Sequence, residues 1–113
     1  MVLTNSQGDN IMLDLNVMKH GRTTNLKAGI LNNEDAILVL LGSGLTTRQE
    51  LMAGLKAWRP ELRWMYPFNQ YNANRLEGSR CEGRGLEATY RRTGKGTYGL
   101  TEAGRNRLDN LQA

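Results

Sequence analysis

The side chains best suited to binding a polyanion surround the tetrapeptide Thr93-Gly94-Lys95-Gly96. Glycine on both sides of Lys95 allows a tight turn whose backbone N–H groups and cation can approach a phosphate or enter a minor groove. Arg91 and Arg92 precede this turn, and successive strand positions point to opposite faces of a sheet. We therefore expect at most one of these arginines to share a face with Lys95. The alternative is that Lys95 and its glycines form a tight turn and nothing more.

A second group of useful side chains follows Phe68. At about 100° per residue, a helix over residues 68 to about 80, which we call the amide-rich segment, places Phe68, Tyr71 and Leu76 on one side. The outward and flanking positions are Asn69, Gln70, Ala73, Asn74 and Glu77. Carboxamides both donate and accept hydrogen bonds, so this surface can bind a polar partner. The alternative is a solvated helix face without a ligand.

Charge is distributed unevenly along the chain. There are 15 Lys and Arg residues against 11 Asp and Glu, a net charge of +4, and eleven of the fifteen bases are arginine. Residues 1–45 carry three bases and four acids, a net charge of −1, whereas residues 46–113 carry twelve bases and seven acids, a net charge of +5. Because the arginine fork matches phosphate and guanine edges, we expect a polyanionic partner to bind the C-terminal two-thirds.

Several kinds of site are excluded by what the sequence lacks. One cysteine (Cys81) and one histidine (His20) cannot supply a four-ligand zinc site of cysteines and histidines, and a single thiol forms no internal disulfide. The spacing of a phosphate-binding loop is absent, and the lone histidine belongs to no Ser-His-Asp set. We therefore expect no enzymatic activity, no metal and no cofactor.

Length and hydropathy indicate how many domains the chain forms and whether it crosses a membrane. The chain has 113 residues, the size of one domain. Residues Met1–Asn10 lack a basic segment followed by an apolar run, and the longest uninterrupted apolar run, Ala36–Leu41, is too short to cross a membrane. We therefore expect a cytoplasmic protein that does not engage the membrane.

The N-terminal residues show a strand-like pattern. Every second residue from Ile11 to Val17 is apolar, which predicts a half-buried strand over residues 10–18. His20-Gly21 indicates a turn after it. The apolar run Leu26–Leu31 fits either a short strand or the approach to a helix.

The next segment predicts a first helix. Asn32 or Asn33 is a suitable N-cap, and the two acidic residues that follow suit the positive end of a helix. The helix is expected over about Asn33–Leu41. Gly42-Ser43-Gly44 ends it, because glycine adopts the left-handed cap conformation at little cost.

A second helix has the clearest start signal in the chain. Thr47 stands three residues before Glu50, the spacing of a capping box, and the helix is expected to end before Pro60. Aromatic residues then cluster around the connector that follows. They fit core and loop anchoring, or alternatively stacking on single-stranded bases. They are Trp58, Trp64, Tyr66 and Phe68.

The C-terminal third predicts a hairpin and a closing helix. The runs Leu86–Arg92 and Thr97–Leu100 flank the glycine-rich turn, an arrangement typical of a β-hairpin. Thr101 is a suitable N-cap for a helix through Leu111. One face of that helix carries Gly104, Leu108 and Leu111.

This order of elements resembles the winged helix-turn-helix family. The similarity lies in Leu45–Leu51 and in Arg91–Arg105, where Tyr98–Gly104 matches the pattern Tyr-x-Leu-Thr-x-x-Gly that follows many wings. It covers roughly residues 33–112. The resemblance implies an α+β fold with a three-helix core, a β-hairpin wing, an extra N-terminal strand and a C-terminal helix. Residues 1–32 would form an N-terminal arm, a possible dimerisation element, and residues 33–113 the winged domain.

The resemblance also implies a function. A winged helix-turn-helix protein of this kind is a non-enzymatic, sequence-specific duplex DNA-binding protein, typically a transcriptional regulator. Its third helix enters the major groove and its wing contacts the backbone or the minor groove, where Asn and Gln side chains can pair with adenine. For Arg48, near a helix N-terminus, phosphate contact and plain surface charge are equal alternatives. The expected DNA-binding residues are Arg48, Asn69, Gln70, Ala73, Asn74, Arg80, Arg91, Arg92 and Lys95.

Two further expectations concern partners. A small domain contacts few phosphates, so we expect a homodimer, joined through the strand Ile11–Val17 or through the face carrying Leu108 and Leu111. The alternative function is a winged domain that serves as a protein–protein adaptor or inhibitor, such as a small phage or plasmid protein binding a host factor. Its affinity for DNA would depend little on salt.

Overall fold

The computed structural model describes residues 14–65, 68–71, 76 and 87–112. They form an α+β fold with two small sheets. Strands β1 and β2 pair in parallel, and β3 and β4 form an antiparallel hairpin. In chain order the elements are a 3-10 helix (Leu15–Val17), β1 (Lys19–His20), a second 3-10 helix (Leu26–Ala28), β2 (Ile30–Leu31), α1 (Asn33–Gly42), α2 (Arg48–Trp58), β3 (Tyr90–Gly94), β4 (Thr97–Leu100) and α3 (Glu102–Gln112). Residues 68–71 are also helical.

The predicted strand over residues 10–18 is wrong across its described part. The Asp14 side chain accepts the Asn16 amide at 2.9 Å, and the Met18 amide donates to the Leu15 carbonyl, which closes a 3-10 turn. This local hydrogen bonding replaces the extended backbone that the alternation predicted. The strand lies further on, at β1, where a turn was expected. Residues 10–13 lie outside the described part.

The first two helices are confirmed. The Asn32 side chain caps α1 by accepting the Asp35 amide at 2.8 Å, and the chain reverses at Gly44, whose φ is +97°. Thr47 and Glu50 form the predicted capping box of α2. The segment Leu26–Leu31 contains both the second 3-10 helix and β2, so each alternative holds for part of it.

The amide-rich segment is not a continuous helix. Residues 68–71 are helical, and the Phe68 amide donates to the Trp64 carbonyl at 2.8 Å. Leu76, however, forms a parallel β-bridge with Tyr90, so the helix predicted through residue 80 is wrong at this position. Pairing with a buried strand residue outweighs the helical pattern there. Residues 72–75 and 77–80 lie outside the described part.

The hairpin and the closing helix are confirmed, with one shifted boundary. The first strand begins at Tyr90, and residues 87–89 are not in a strand. The carbonyl groups of Ala88 and Thr89 instead accept hydrogen bonds from the Thr101 hydroxyl at 2.6 Å and the Thr101 amide at 3.2 Å. The Thr101 hydroxyl also accepts the Gly104 amide at 3.1 Å, so it caps α3 as expected.

One hydrophobic core includes the arm, the helices and the hairpin. It surrounds α1, which is buried on all sides from Ala36 to Leu41, and it includes Leu15 and Leu31 from the arm. Leu108 and Leu111 are buried in the same core, so the helix face that they form is not available to a second copy. Trp64 and Phe68 are buried as well, which confirms core anchoring for these two rings.

An ion pair between a buried carboxylate and a partly exposed arginine joins α1 to α3. The Asp35 carboxylate, 3% exposed, accepts hydrogen bonds from Nε and Nη2 of Arg107 at 3.1 and 2.8 Å. The Thr24 hydroxyl donates to the same carboxylate and accepts the Asn32 amide. The hydrogen bonds to Asp35 raise the pKa of Arg107. The arm is therefore tied to both helices through one carboxylate.

Candidate nucleic-acid interface

The β3–β4 hairpin exposes three cations. Arg91 pairs with Gly99 and Arg92 with Tyr98, and the register is irregular between Arg92 and Gly94. Because cross-strand partners share a face, Arg92 lies on the side of the buried Tyr98 ring and Arg91 on the opposite side, as expected. Lys95 is exposed at the turn.

The link between α1 and α2 runs beside β4. Thr47 forms an antiparallel bridge with Thr97, the Tyr98 amide donates to the Thr46 carbonyl at 2.8 Å, and the Arg48 amide donates to the Gly96 carbonyl at 2.8 Å. The link thus acts as a short third strand of the hairpin sheet. The two backbone hydrogen bonds of this bridge hold the N-terminus of α2 against the hairpin turn.

Arg48 connects α2 to the amide-rich segment. Its Nη2 donates to Oδ1 of Asn69 at 2.9 Å. Its guanidinium carbon lies 5.0 Å from the centre of the Phe68 ring, a cation–π distance. The side chain is therefore held from two directions, by an amide and by an aromatic face.

Three buried rings, which we call the aromatic cluster, join Arg48 to the hairpin. They are Phe68, Tyr90 and Tyr98. Tyr98 meets Phe68 edge-on at 5.8 Å and Tyr90 at 6.1 Å between ring centres. The guanidinium of Arg92 lies 5.9 Å from the centre of Tyr98. Arg48 from α2 and Arg92 from β3 therefore each contact a ring of the aromatic cluster.

The N-terminus of α2 has little capacity left for an anion. The Glu50 amide donates to the Thr47 hydroxyl at 3.0 Å, and the Arg48 amide is paired with Gly96. The Glu50 carboxylate accepts the Thr46 and Thr47 amides at 3.3 and 3.2 Å. Phosphate contact at this helix end would therefore depend mainly on the Arg48 guanidinium, because the amides of Thr47, Arg48 and Glu50 are used and a carboxylate is already present.

The capping carboxylate should make stability depend on pH. Hydrogen bonds from Thr47 lower the pKa of Glu50 below its ordinary value of 4.5. A lowered folded-state pKa stabilises the fold above the ordinary value, and this stabilisation is lost as pH falls through the folded value. We expect Glu50→Gln to flatten the fall in unfolding free energy below about pH 4.5, measured by urea unfolding between about pH 3 and about pH 6. Parallel profiles for the variant and the wild type would contradict this role.

The structure brings only some of the predicted site residues together. Arg48, Asn69 and Arg92 are linked through direct contacts or through the aromatic cluster. Gln70 is exposed next to Asn69, and Arg91 is exposed on the hairpin with Lys95. The other predicted residues lie outside the described part of the chain. They are Ala73, Asn74 and Arg80.

The contacts of Arg48 and Arg92 with aromatic rings were not predicted from the sequence. Phe68 was assigned to one side of a helix and Tyr98 to the core, without a contact to a cation. Arg48 and Asn69 are 21 positions apart, so no local spacing predicts their hydrogen bond. The available signal was the surplus of arginine near buried aromatic residues, since guanidinium groups stack on such rings.

Comparison of the chain with protein-family models, with curated proteins and with solved structures gave no match. Within the described ranges, no three metal-ligating side chains of His, Cys, Asp or Glu converge on a point. None of the helices in the described part of the chain has the length and apolar character needed to span a bilayer.

Proposed function

We propose that this chain is a non-enzymatic duplex DNA-binding protein with a winged helix-turn-helix fold, acting in the cytoplasm as a transcriptional regulator. The amide-rich segment contacts the major groove, and the β3–β4 hairpin is the wing that contacts the backbone or the minor groove. The protein regulates by occluding a promoter or by recruiting a factor to it.

The single observation that carries this proposal is the pairing of the link at residues 45–47 with β4. It ties the start of α2 to the hairpin turn, while the side chain of Arg48 reaches Asn69 in the amide-rich segment. A helix pair and a hairpin joined in this way can present one continuous surface to a duplex.

The charge of the surface supports the same conclusion. Arg91, Arg92 and Lys95 are exposed, and none of them forms an ion pair with another described residue. Cations that are free of carboxylate partners can replace the counterions that surround DNA phosphates.

Oligomeric state follows as part of the proposal. We expect a homodimer, because one domain of this size makes few phosphate contacts. Leu108 and Leu111 pack in the protomer's own core, so the arm is the better candidate interface. Val17, 74% exposed, is an apolar residue of the arm that a second copy could cover.

The hairpin cations provide the test of the proposal. We expect the double variant Arg92→Gln and Lys95→Gln to weaken binding to a labelled duplex by about tenfold at about 0.15 M salt, measured by fluorescence anisotropy. The matched control removes two exposed cations from the arm, by Arg22→Gln and Lys27→Gln, and should change affinity less than about twofold. Both pairs lower the net charge by the same amount.

Each outcome of this comparison has a clear meaning. Equal weakening by the two double variants would contradict the assignment of the hairpin as the contact surface. Failure of the wild-type chain to bind duplex DNA would contradict the function and favour the protein-adaptor hypothesis. Thermal unfolding of both double variants shows whether either loss comes from misfolding.

A further inference from the structure

The hydrogen bond between Arg48 and Asn69 fixes the orientation of the amide. A guanidinium carries only donors, so the group 2.9 Å from its Nη2 must be the carbonyl oxygen Oδ1 and not the amide nitrogen. Turning the amide over would oppose two donors. The Nδ2 group of Asn69 is therefore directed away from Arg48.

The pair consequently presents donors to a partner. Asn69 is exposed, and its free group is Nδ2, which only donates. Arg48 has one N–H group engaged with Asn69 and keeps the rest of its donor fork. Arg48 uses one of the two lone pairs of the Asn69 oxygen, so the donors of the pair outnumber the acceptor capacity that remains.

Nearby contacts keep the pair in this state. The Phe68 ring, fully buried, supports the guanidinium at 5.0 Å, and the Arg48 amide is anchored to Gly96. Glu50 is the acid nearest in sequence, but its carboxylate accepts hydrogen bonds from Thr46 and Thr47. None of the described carboxylates forms an ion pair with Arg48.

We propose that the Arg48–Asn69 pair reads guanine in the major groove, an inference that rests on the proposed binding of duplex DNA. Guanine offers two acceptors there, O6 and N7, whereas adenine offers the N7 acceptor and the N6 donor. A surface made mostly of donors matches guanine better than the adenine amino group. The expected two-point contact of Asn69 with adenine would have to share an oxygen that already accepts from Arg48.

Phosphate oxygens are also acceptors, but the position of the pair favours a base. Asn69 lies in the amide-rich segment beside Gln70, which is exposed and offers both a donor and an acceptor. The Arg48 guanidinium could bind a phosphate without Asn69. Together, the guanidinium and Nδ2 of Asn69 are two neighbouring donor groups, which suit the O6 and N7 acceptors of one guanine. Gln70 keeps the capacity to pair with adenine and provides the matched control.

The experiment replaces single atoms of the DNA. The full chain first selects duplexes from a randomised pool, and each guanine of the selected duplex is then replaced by 7-deazaguanine, which lacks N7 and keeps Watson–Crick pairing. We expect one replacement to weaken wild-type binding by about tenfold. Asn69→Ala and Arg48→Met should bind the original and modified duplexes equally. Gln70→Ala should retain the discrimination.

The other outcomes separate this inference from the proposed function. Selected duplexes that bind without any guanine sensitive to loss of N7 would overturn guanine reading and leave DNA binding standing. Sensitivity that survives in both Asn69→Ala and Arg48→Met would overturn the assignment to this pair. If Arg48→Met retains the base preference and only reduces the salt dependence, the arginine contacts phosphate and the inference fails. Absence of any duplex binding by the wild-type chain would overturn both proposals.

Discussion

Replacing Arg107 by methionine should lower the free energy of unfolding by about 3 kcal/mol, because the Asp35 carboxylate would stay buried without its cation. Asp35 is 3% exposed, and both of its oxygens accept hydrogen bonds from Arg107. Thr24 supplies a hydroxyl but no charge. Urea unfolding of the two proteins at neutral pH measures the difference.

The opposite substitution is the control, because the two partners are unequally buried. Arg107 is 45% exposed, so after Asp35→Asn its charge can turn to water, and the Asn oxygen still accepts one hydrogen bond. We expect Asp35→Asn to cost about 1 kcal/mol. The double variant should lose less than the sum of the two single losses. Equal losses for the two single variants would contradict a buried carboxylate as the dominant cause.

Gly104→Ala should destabilise the fold by about 3 kcal/mol, because a methyl group there overlaps the backbone of Thr89. The overlapping atom is the Thr89 carbonyl oxygen, which also accepts the Thr101 amide. Neither partner can move without separating α3 from the start of the hairpin. Thermal unfolding followed by circular dichroism measures the loss.

Gly54→Ala is the matched control, since it makes the same substitution within another helix. The new methyl group would lie 2.9 Å from Cδ2 of Leu40, the far end of a flexible side chain that can rotate. Alanine also favours a helix over glycine by about 1 kcal/mol, so the two effects should nearly cancel. Similar changes in stability at Gly54 and Gly104 would mean that close packing on Thr89 does not govern the second site.

The Gly104 contact gives a physical meaning to the pattern that suggested the family. Within Tyr98–Gly104, Tyr98 packs in the core, Thr101 caps α3 and Gly104 permits the close approach of α3 to Thr89. Each of these roles is structural. The pattern therefore predicts how a hairpin meets a helix and is not by itself a sign of DNA binding.

Local signals predicted most of the elements. The capping groups Asn32, Thr47 and Thr101 begin helices where expected, because each depends on side chains within three residues of the cap. The hairpin was also predictable, since glycines at its turn permit the required backbone, including φ of +71° at Gly96.

Non-local contacts explain what the sequence did not predict. The pairing of Leu76 with Tyr90 interrupts a helical pattern, and the hydrogen bond between Arg48 and Asn69 joins segments 21 residues apart. At Leu15–Val17 the cause is local, because the Asp14 side chain competes with the extended backbone. The polar groups of the candidate site were identified by residue type. The aromatic rings that contact Arg48 and Arg92 could be identified only from the folded structure.

The most direct test of DNA binding is the salt dependence of wild-type affinity for a duplex of random sequence. Exposed Arg91, Arg92 and Lys95 should release counterions from the phosphates that they contact. Between about 50 and about 200 mM salt, we expect a log-log slope on the order of −3, since each contact contributes about −0.9. A slope near zero, or no binding at low salt, would contradict the proposal that this surface binds duplex DNA.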